Sequence, residues 1–244
     1  MRNNRSCVAI LNNDYHIKDF EKFILTRRYD YRSIHLVIVP HRVGKETIEE
    51  LEEKYPDWIL NVIKYKGLKR RSLINNLFGP LLSKSYMAKV ASQLGSDFIH
   101  DIFLYSELDL MNCQTALMLK SMTNSTLYLM DDGGLASHIK FRQNDVPATL
   151  INTTKLKLIQ IFVRQFYGVD ARFAGVQIQY SIPDHLFSAF YTSIPSQINR
   201  NIPTRFLGFN QIKENFYLVE NHVVFIDSPI YKYYCSYQDY LLIT

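Results

Sequence analysis

The sequence is poor in cysteine, glycine and proline, and it lacks long apolar runs. Its 244 residues include 3 Cys, 9 Gly and 8 Pro, while 47% are hydrophobic, which is typical of a globular protein. No apolar run approaches the roughly 20 residues of a membrane-spanning helix. The basic N-terminus precedes an apolar stretch that is too short for a signal peptide. We therefore expect a cytoplasmic protein.

Metal and disulfide frameworks are also missing. Cys7, Cys113 and Cys235 are too few and too far apart for a disulfide framework or a zinc site, so we interpret them as buried thiols. The seven histidines include no H-x-x-x-H pair, so we predict no metal site.

Several catalytic fingerprints do not occur. There is no G-x-G-x-x-G, no G-x-x-x-x-G-K-[ST] and no G-x-S-x-G. Their absence argues against a dinucleotide-binding fingerprint, a P-loop and the nucleophile elbow of an α/β-hydrolase, respectively.

Positive charge is mild overall but locally concentrated. The formal net charge is +5, with one basic segment from Lys64 to Arg71 and a second group at Lys155, Lys157 and Arg164. Such groups could contact an anionic membrane surface or a phosphorylated substrate, and the alternative is a solvated surface. Aromatic residues do not alternate with these charges, so we do not predict nucleic-acid binding.

The first half of the chain alternates between strand and helix patterns. Apolar runs predict strands at 8–11, 34–39, 58–63, 98–105 and 127–130, and helical spacing predicts helices around 20–24 and at 45–55, 82–94 and 115–121. We expect Asn124 to end the last of these helices. This alternation predicts an α/β fold with a Rossmann-like, doubly wound parallel sheet.

The second half is less regular. We predict an amphipathic helix over 155–166, a strand over 172–181 and a buried strand over 223–226, whereas 195–213 shows no clear period. We expect one Rossmann-like domain over 1–230, and we interpret 231–244 as the start of a connection to a second domain that is absent or truncated.

The most informative stretch surrounds a pair of carboxylates. The apolar run Leu127–Met130 is followed by Asp131, Asp132, Gly133 and Gly134. In an open α/β sheet, ligands bind beyond the carboxyl ends of the strands, and glycines allow a sharp turn and a close approach. We predict Asp132 and Asp131 as catalytic residues at an open groove, with Gly133 and Gly134 binding substrate. Because adjacent strand residues point to opposite faces, we expect only one of the two carboxylates to face a given cleft and the other to bind backbone N–H groups in the turn. The alternative is an ordinary strand-to-helix turn with an Asp N-cap.

Other polar residues also follow apolar runs. Asn12 and Asn13 follow the first strand, and Asp227 and Ser228 follow the last, so we predict all four as substrate-binding residues. An ordinary turn explains Asp227 equally well. Glu107 and Asp109 have the carboxylate–x–carboxylate spacing of metal-dependent sugar transferases, although a surface helix N-terminus explains this pair better.

The strand that ends in Asp131-Asp132-Gly133, late in a Rossmann-like domain, resembles bacterial sialyltransferases of glycosyltransferase family 52 and the related polysialyltransferases. The segment 223–229 is similar to the place where those enzymes leave their first domain. The resemblance implies a GT-B architecture, in which this chain is the N-terminal, acceptor-side domain. The His-Pro motif of the family is missing, because none of the seven histidines precedes a proline.

The resemblance also implies an activity. It is an inverting transfer of sialic acid from CMP-sialic acid, or of another nucleotide sugar, onto a glycan or glycolipid acceptor such as lipooligosaccharide or capsule. No further cofactor is implied, and Asp132 takes the role of general base. The acceptor implies a location at the inner membrane, with peripheral contact to anionic lipid. The alternative is a non-catalytic Rossmann-like domain that binds glycan or a protein partner.

Overall fold

Six parallel strands form the central sheet in a computed structural model of the chain. The structure describes residues 5–27, 30–38, 43–56, 58, 88–90, 92, 94, 98–107, 109–131, 150–174, 177–192 and 200–206. They all belong to one compact unit that spans residues 1–209. The predicted domain boundary at residue 230 and the segment 231–244 lie outside the described residues.

The strands of the sheet alternate with helices along the chain. In chain order the elements are β1 (Arg5–Leu11), α1 (Asp14–Leu25), β2 (Tyr31–Ile38), α2 (Lys45–Lys54), β3 (Ile99–Leu104), α3 (Leu110–Thr123), β4 (Thr126–Met130), α4 (Leu150–Tyr167), β5 (Asp170–Ala174), β6 (Gln177–Ser181), β7 (Phe187–Thr192) and β8 (Thr204–Phe206). The sheet order is β2-β1-β3-β4-β7-β8, and every pairing within it is parallel. The predicted α/β, Rossmann-like parallel sheet is therefore confirmed.

The two faces of the sheet carry separate cores, because successive strand residues point to opposite sides. One core joins Val8 and Ile10 of β1 to apolar residues of α3 and α4. The other joins Cys7, Ala9 and Leu11 to apolar residues of α1 and α2. Helices thus cover both faces, as the doubly wound prediction requires.

Asparagine residues define one end each of α1 and α3. Asn13 caps α1, because its side-chain oxygen accepts a hydrogen bond from the His16 amide at 2.8 Å. The predicted inner face of α1, Phe20, Phe23 and Ile24, is buried. Asn124 ends α3 in the left-handed conformation with φ 52°, which Asn tolerates better than most residues.

Other predicted elements have mixed outcomes. The helix at 45–55 is confirmed as α2, and the helix at 155–166 is confirmed within α4. Within the predicted helix 82–94, the described residues 88–90, 92 and 94 are helical. The predicted strands 58–63 and 223–226 lie outside the described residues, apart from Trp58, which is buried in a bend.

One predicted strand is wrong. The segment 172–181 is not a single strand but contributes to a hairpin, in which β5 and β6 pair antiparallel with Asp170 opposite Ser181. This hairpin forms its own two-stranded sheet beside the main one. A hairpin satisfies the backbone groups of both halves locally, which a single strand outside the main sheet could not do.

Two of the cysteines lie where the sequence places them. Cys7 and Cys113 are free and fully buried, and burial raises the pKa of both thiols well above the usual range. Cys235 lies outside the described residues. Within the described part of the chain, none of the helices is both long and apolar enough to cross a membrane.

Candidate active site at the carboxyl edge of the sheet

The strand order reverses between β1 and β3. Strand β1 continues into α1, which packs on one face of the sheet, whereas β3 continues into α3, which packs on the other. The chain therefore leaves these neighbouring strands in opposite directions at their carboxyl ends. In open α/β sheets this divergence creates the crevice in which ligands bind.

Asn12, the first residue after β1, lies at this switch point with 1% of its surface exposed. Its Oδ1 accepts a hydrogen bond from Nδ2 of Asn112 on α3 at 2.7 Å. The same Asn112 Nδ2 donates to the carbonyl of Ser106, which follows β3, at 3.1 Å. Asn112 thus joins the ends of β1 and β3 across the switch point.

These contacts fix the orientation of the Asn12 amide. The carbonyl of Ser106 can only accept, so the Asn112 atom that faces it is the NH2 group, and Asn12 presents its oxygen in return. The NH2 group of Asn12 has no hydrogen-bond partner among the described residues. An unpaired buried donor costs about 1–3 kcal/mol. A ligand oxygen that enters the crevice would therefore gain a well-oriented donor.

The neighbouring Asn13 and His16 order the turn between β1 and α1. Asn13 caps the helix, and Nδ1 of His16 accepts from the backbone N–H of Asn12 at 3.2 Å. The His16 ring stacks on Tyr105, with centroids 5.1 Å apart. Asn13 therefore shapes the site through the helix start rather than through an unpartnered donor.

A buried acid on α1 was not predicted from the sequence. Asp19 Oδ2 accepts a hydrogen bond from the hydroxyl of Tyr105, the residue after β3, at 2.9 Å. Burial raises the pKa of Asp19; the Tyr105 hydrogen bond opposes that shift, and the Asp131 charge adds to it. Its signal in the sequence was its place on the inner stripe of α1, between Ile17 and Phe20, where a charged residue is unusual.

Asp131 follows β4 at the same edge and is 6% exposed. Its backbone N–H donates to the carbonyl of Tyr191 at 2.9 Å, and its Oδ2 accepts from the hydroxyl of Thr192 at 3.3 Å. Both partners belong to β7. The Asp131 carboxylate is therefore turned in against the neighbouring strand. That Asp132 faces an open groove stays a prediction.

The other predicted site residues cannot be placed in this arrangement. Asp132, Gly133, Gly134, Asp227 and Ser228 lie outside the described residues. Of the predicted set, the structure brings Asn12, Asn13 and Asp131 to the carboxyl edge of one sheet. It adds Asp19, Tyr105 and Asn112, none of which was predicted to belong to the site.

Glu107 and Asp109 do not form the surface pair that the sequence predicts. Glu107 is buried, forms an ion pair with Arg200, and accepts from the Ile182 amide at 2.6 Å. Asp109 does cap α3, accepting from the Met111 amide at 2.9 Å. Both oxygens of Glu107 are engaged by protein groups, which argues against metal ligation by this pair. No cluster of three potential ligands occurs within the described ranges.

Comparison with known proteins adds no assignment to this geometry. No protein-family model matches the chain, and no curated protein matches it significantly.

Proposed function

We propose that this chain is the acceptor-side, Rossmann-like domain of an inverting, sialyltransferase-like glycosyltransferase with GT-B architecture. It would transfer a sugar onto a cell-surface glycan or glycolipid such as lipooligosaccharide or capsule. The proposed sugar is sialic acid, and the proposed donor is CMP-sialic acid. The observation that carries the proposal is the set of buried polar side chains at the β1/β3 switch point, with the Asp131-Asp132 pair at the end of the next strand.

The proposed reaction is a single displacement. An acceptor hydroxyl oxygen attacks the anomeric carbon of the donor sugar, and the bond from that carbon to the phosphate oxygen of CMP breaks. The hydroxyl proton passes to Asp132, the general base assigned by resemblance. Such a base contributes roughly 10²–10⁴-fold to the rate.

Three described residues support the proposed binding of the acceptor at this edge of the sheet. Asp131 is fixed to β7 at the carboxyl edge of the sheet through its backbone and its carboxylate. The free NH2 group of Asn12 suits an acceptor hydroxyl or ring oxygen. Asn112 holds that amide in place. Asn12 and Asn112 are therefore proposed to bind and orient the acceptor.

A second candidate is a non-catalytic domain that binds glycan or a protein partner at the same crevice. The absence of a His-Pro pair from the sequence favours it. The burial of the Asp131 carboxylate agrees with it, because this group is engaged by Thr192.

A nucleotide-release assay separates the two candidates. We expect the longest form of the protein that contains this domain to release CMP from CMP-sialic acid in the presence of a glycan acceptor, with UDP- and GDP-sugars as comparison donors. Asp132→Asn should reduce release at least 100-fold, whereas Glu52→Gln, a similar change at an exposed acid of α2, should leave it unchanged. Wild-type activity in Asp132→Asn would refute the assignment of the base.

Glycan binding without nucleotide release would favour the second candidate. For that case the decisive variant is Asn12→Ala, which removes the free donor. Loss of glycan affinity in this variant, in protein that circular dichroism shows to be folded, would place the glycan at the switch point.

A further inference from the structure

Helix α4 exposes apolar side chains on the side that faces away from the protein. Its inner face is formed by Ile159, Val163 and Tyr167, which are all buried in the core shared with α3. Its outer face carries Leu158 and Ile161, which are 64% and 62% exposed. A helix that is apolar on both sides is usually covered on both sides.

Two of the exposed apolar residues form a small patch. Leu158 and Ile161 are three residues apart and therefore neighbours on one face of the helix. Phe166, 59% exposed, lies on the flank of the helix, where its ring packs against Phe162 with centroids 4.7 Å apart. Single exposed hydrophobic residues are common, so the patch alone does not identify what binds it.

All the charged residues described on this helix are basic. Lys155, Lys157 and Arg164 are exposed, and α4 contains no acidic residue along its 18 positions. At about 100° per residue, Lys157 and Arg164 lie on one side of the Leu158–Ile161 stripe and Lys155 lies on the other. None of the three forms an ion pair with a described carboxylate.

We infer that α4 is a membrane-surface helix, which lies on an anionic lipid bilayer with Leu158 and Ile161 inserted among the headgroups. Apolar side chains between basic residues match the interface of such a bilayer. The apolar side chains and the aliphatic parts of the Lys and Arg side chains enter the acyl boundary, while the charged groups stay with the lipid phosphates. A protein partner would need a surface that is apolar and acidic at once. The charge of the helix therefore favours lipid.

The attachment of α4 to the rest of the protein leaves this face available. Gln114 of α3 donates to the carbonyl of Tyr167 at 2.9 Å, and Gln160 donates to the carbonyl of Ala171 at 2.7 Å. These contacts and the buried inner face hold the helix as a preformed surface. Lipid binding by α4 does not depend on the proposed sugar transfer. If the acceptor is a glycolipid, the protein would encounter it at the same bilayer surface.

The test is co-sedimentation of the full chain with vesicles. We expect binding to vesicles of phosphatidylglycerol and phosphatidylcholine, weaker binding at high salt, and little binding to phosphatidylcholine alone. Each basic residue near an anionic surface strengthens binding about fivefold. The triple variant Lys155→Gln, Lys157→Gln, Arg164→Gln should therefore weaken binding by up to roughly 100-fold.

A matched variant controls for net charge. Lys18→Gln, Arg32→Gln and Lys89→Gln also remove three exposed positive charges from the net +5, but none of them lies on α4. This variant should bind within about threefold of the wild type. An equal loss in both triple variants would mean that overall charge, not α4, drives binding, and would overturn the inference.

The apolar part has its own variant. Leu158→Gln with Ile161→Gln should weaken vesicle binding about tenfold or more, because the inserted area is lost. Leu25→Gln with Met122→Gln changes two exposed apolar residues elsewhere and should leave binding unchanged. Neither pair should alter CMP release with a water-soluble acceptor, so failure here is distinguishable from failure of the proposed function.

Two results would refute the inference outright. One is a wild-type chain that does not sediment with anionic vesicles. The other is a wild-type dimer that Leu158→Gln with Ile161→Gln converts to monomers while vesicle binding stays unchanged, since the face would then belong to a second copy of the chain.

Discussion

The side-chain amide of Asn112 donates to Oδ1 of Asn12 at 2.7 Å, although the two residues are 100 positions apart in the sequence. The same amide reaches the carbonyl of Ser106. One polar side chain thus closes the gap where the chain leaves β1 and β3 in opposite directions. It also determines which end of the Asn12 amide is free.

Replacement of Asn112 should destabilise the fold. Asn112→Ala leaves the buried oxygens of Asn12 and Ser106 without their shared donor, so we expect a loss of about 1–3 kcal/mol in the free energy of unfolding. Urea denaturation followed by circular dichroism measures it. Gln165→Ala, a truncation of an exposed amide, is the control and should change stability by less than about 0.5 kcal/mol.

The buried ion pair between Glu107 and Arg200 should be sensitive to loss of one partner. Burial raises the pKa of Glu107, while the charge of Arg200 opposes that shift. Glu107→Gln leaves the buried guanidinium with Asp184 alone, and we expect a loss of about 3 kcal/mol in the free energy of unfolding. Glu49→Gln breaks the exposed Lys45–Glu49 pair and should have no measurable effect. Equal effects of the two variants in urea denaturation would contradict the structure.

The buried Asp19 should make stability depend on pH. Its pKa is raised in the folded protein, so the folded state retains a proton that the unfolded chain releases at about pH 3.9. The Asp19 contribution is therefore fully present below that pH and is lost as the pH rises through the folded pKa. Asp19→Asn removes this contribution, and we expect the variant to be relatively more stable near neutral pH than in acid.

Unfolding free energies measured from pH 4 to 7 test this expectation. Asn at position 19 can still accept the Tyr105 hydrogen bond through its amide oxygen, so the comparison isolates the charge. Asp170→Asn, the same change at an exposed carboxylate, is the control. Parallel pH profiles for Asp19→Asn and the wild type would show that Asp19 does not hold its proton.

The two buried thiols should resist modification in the folded protein. Cys7 and Cys113 are both inaccessible, and burial raises the pKa of each, which suppresses the reactive thiolate. Brief treatment with a maleimide, followed by mass spectrometry of peptides, should leave both unmodified. Both should react in denaturant. Labelling of Cys113 without denaturant would mean that the inner face of α3, on which Cys113 lies, is not packed in the core.

The elements that were predictable from the sequence are those with local signals. Apolar runs located β1, β2, β3 and β4, and Asn124 correctly marked the end of α3. Strand β7 was missed, because its run Phe187–Thr192 is short and lies just before the stretch 195–213, which has no clear period. The hairpin of β5 and β6 was taken as one strand, although Gly175 in its middle is a turn signal.

The site was predictable only in part, for a different physical reason. Residues directly after strands, such as Asn12 and Asp131, could be placed at the carboxyl edge from topology alone. Their partners could not, because Asn112 and Thr192 come from distant elements. Exposure is likewise a tertiary property, which is why the sequence alone did not show that the Asp131 carboxylate is covered.

The contacts of Arg200 limit how far the chain could be shortened. This side chain neutralises Glu107, which lies 93 positions earlier, and it also holds Asp184 and the carbonyl of Ile182 at 2.9 Å. A fragment that stopped before residue 200 would retain the first five strands of the sheet but would leave the buried Glu107 carboxylate without its cationic partner. Any expressed piece meant to fold independently must therefore extend past this arginine, even if it is designed only around the crevice.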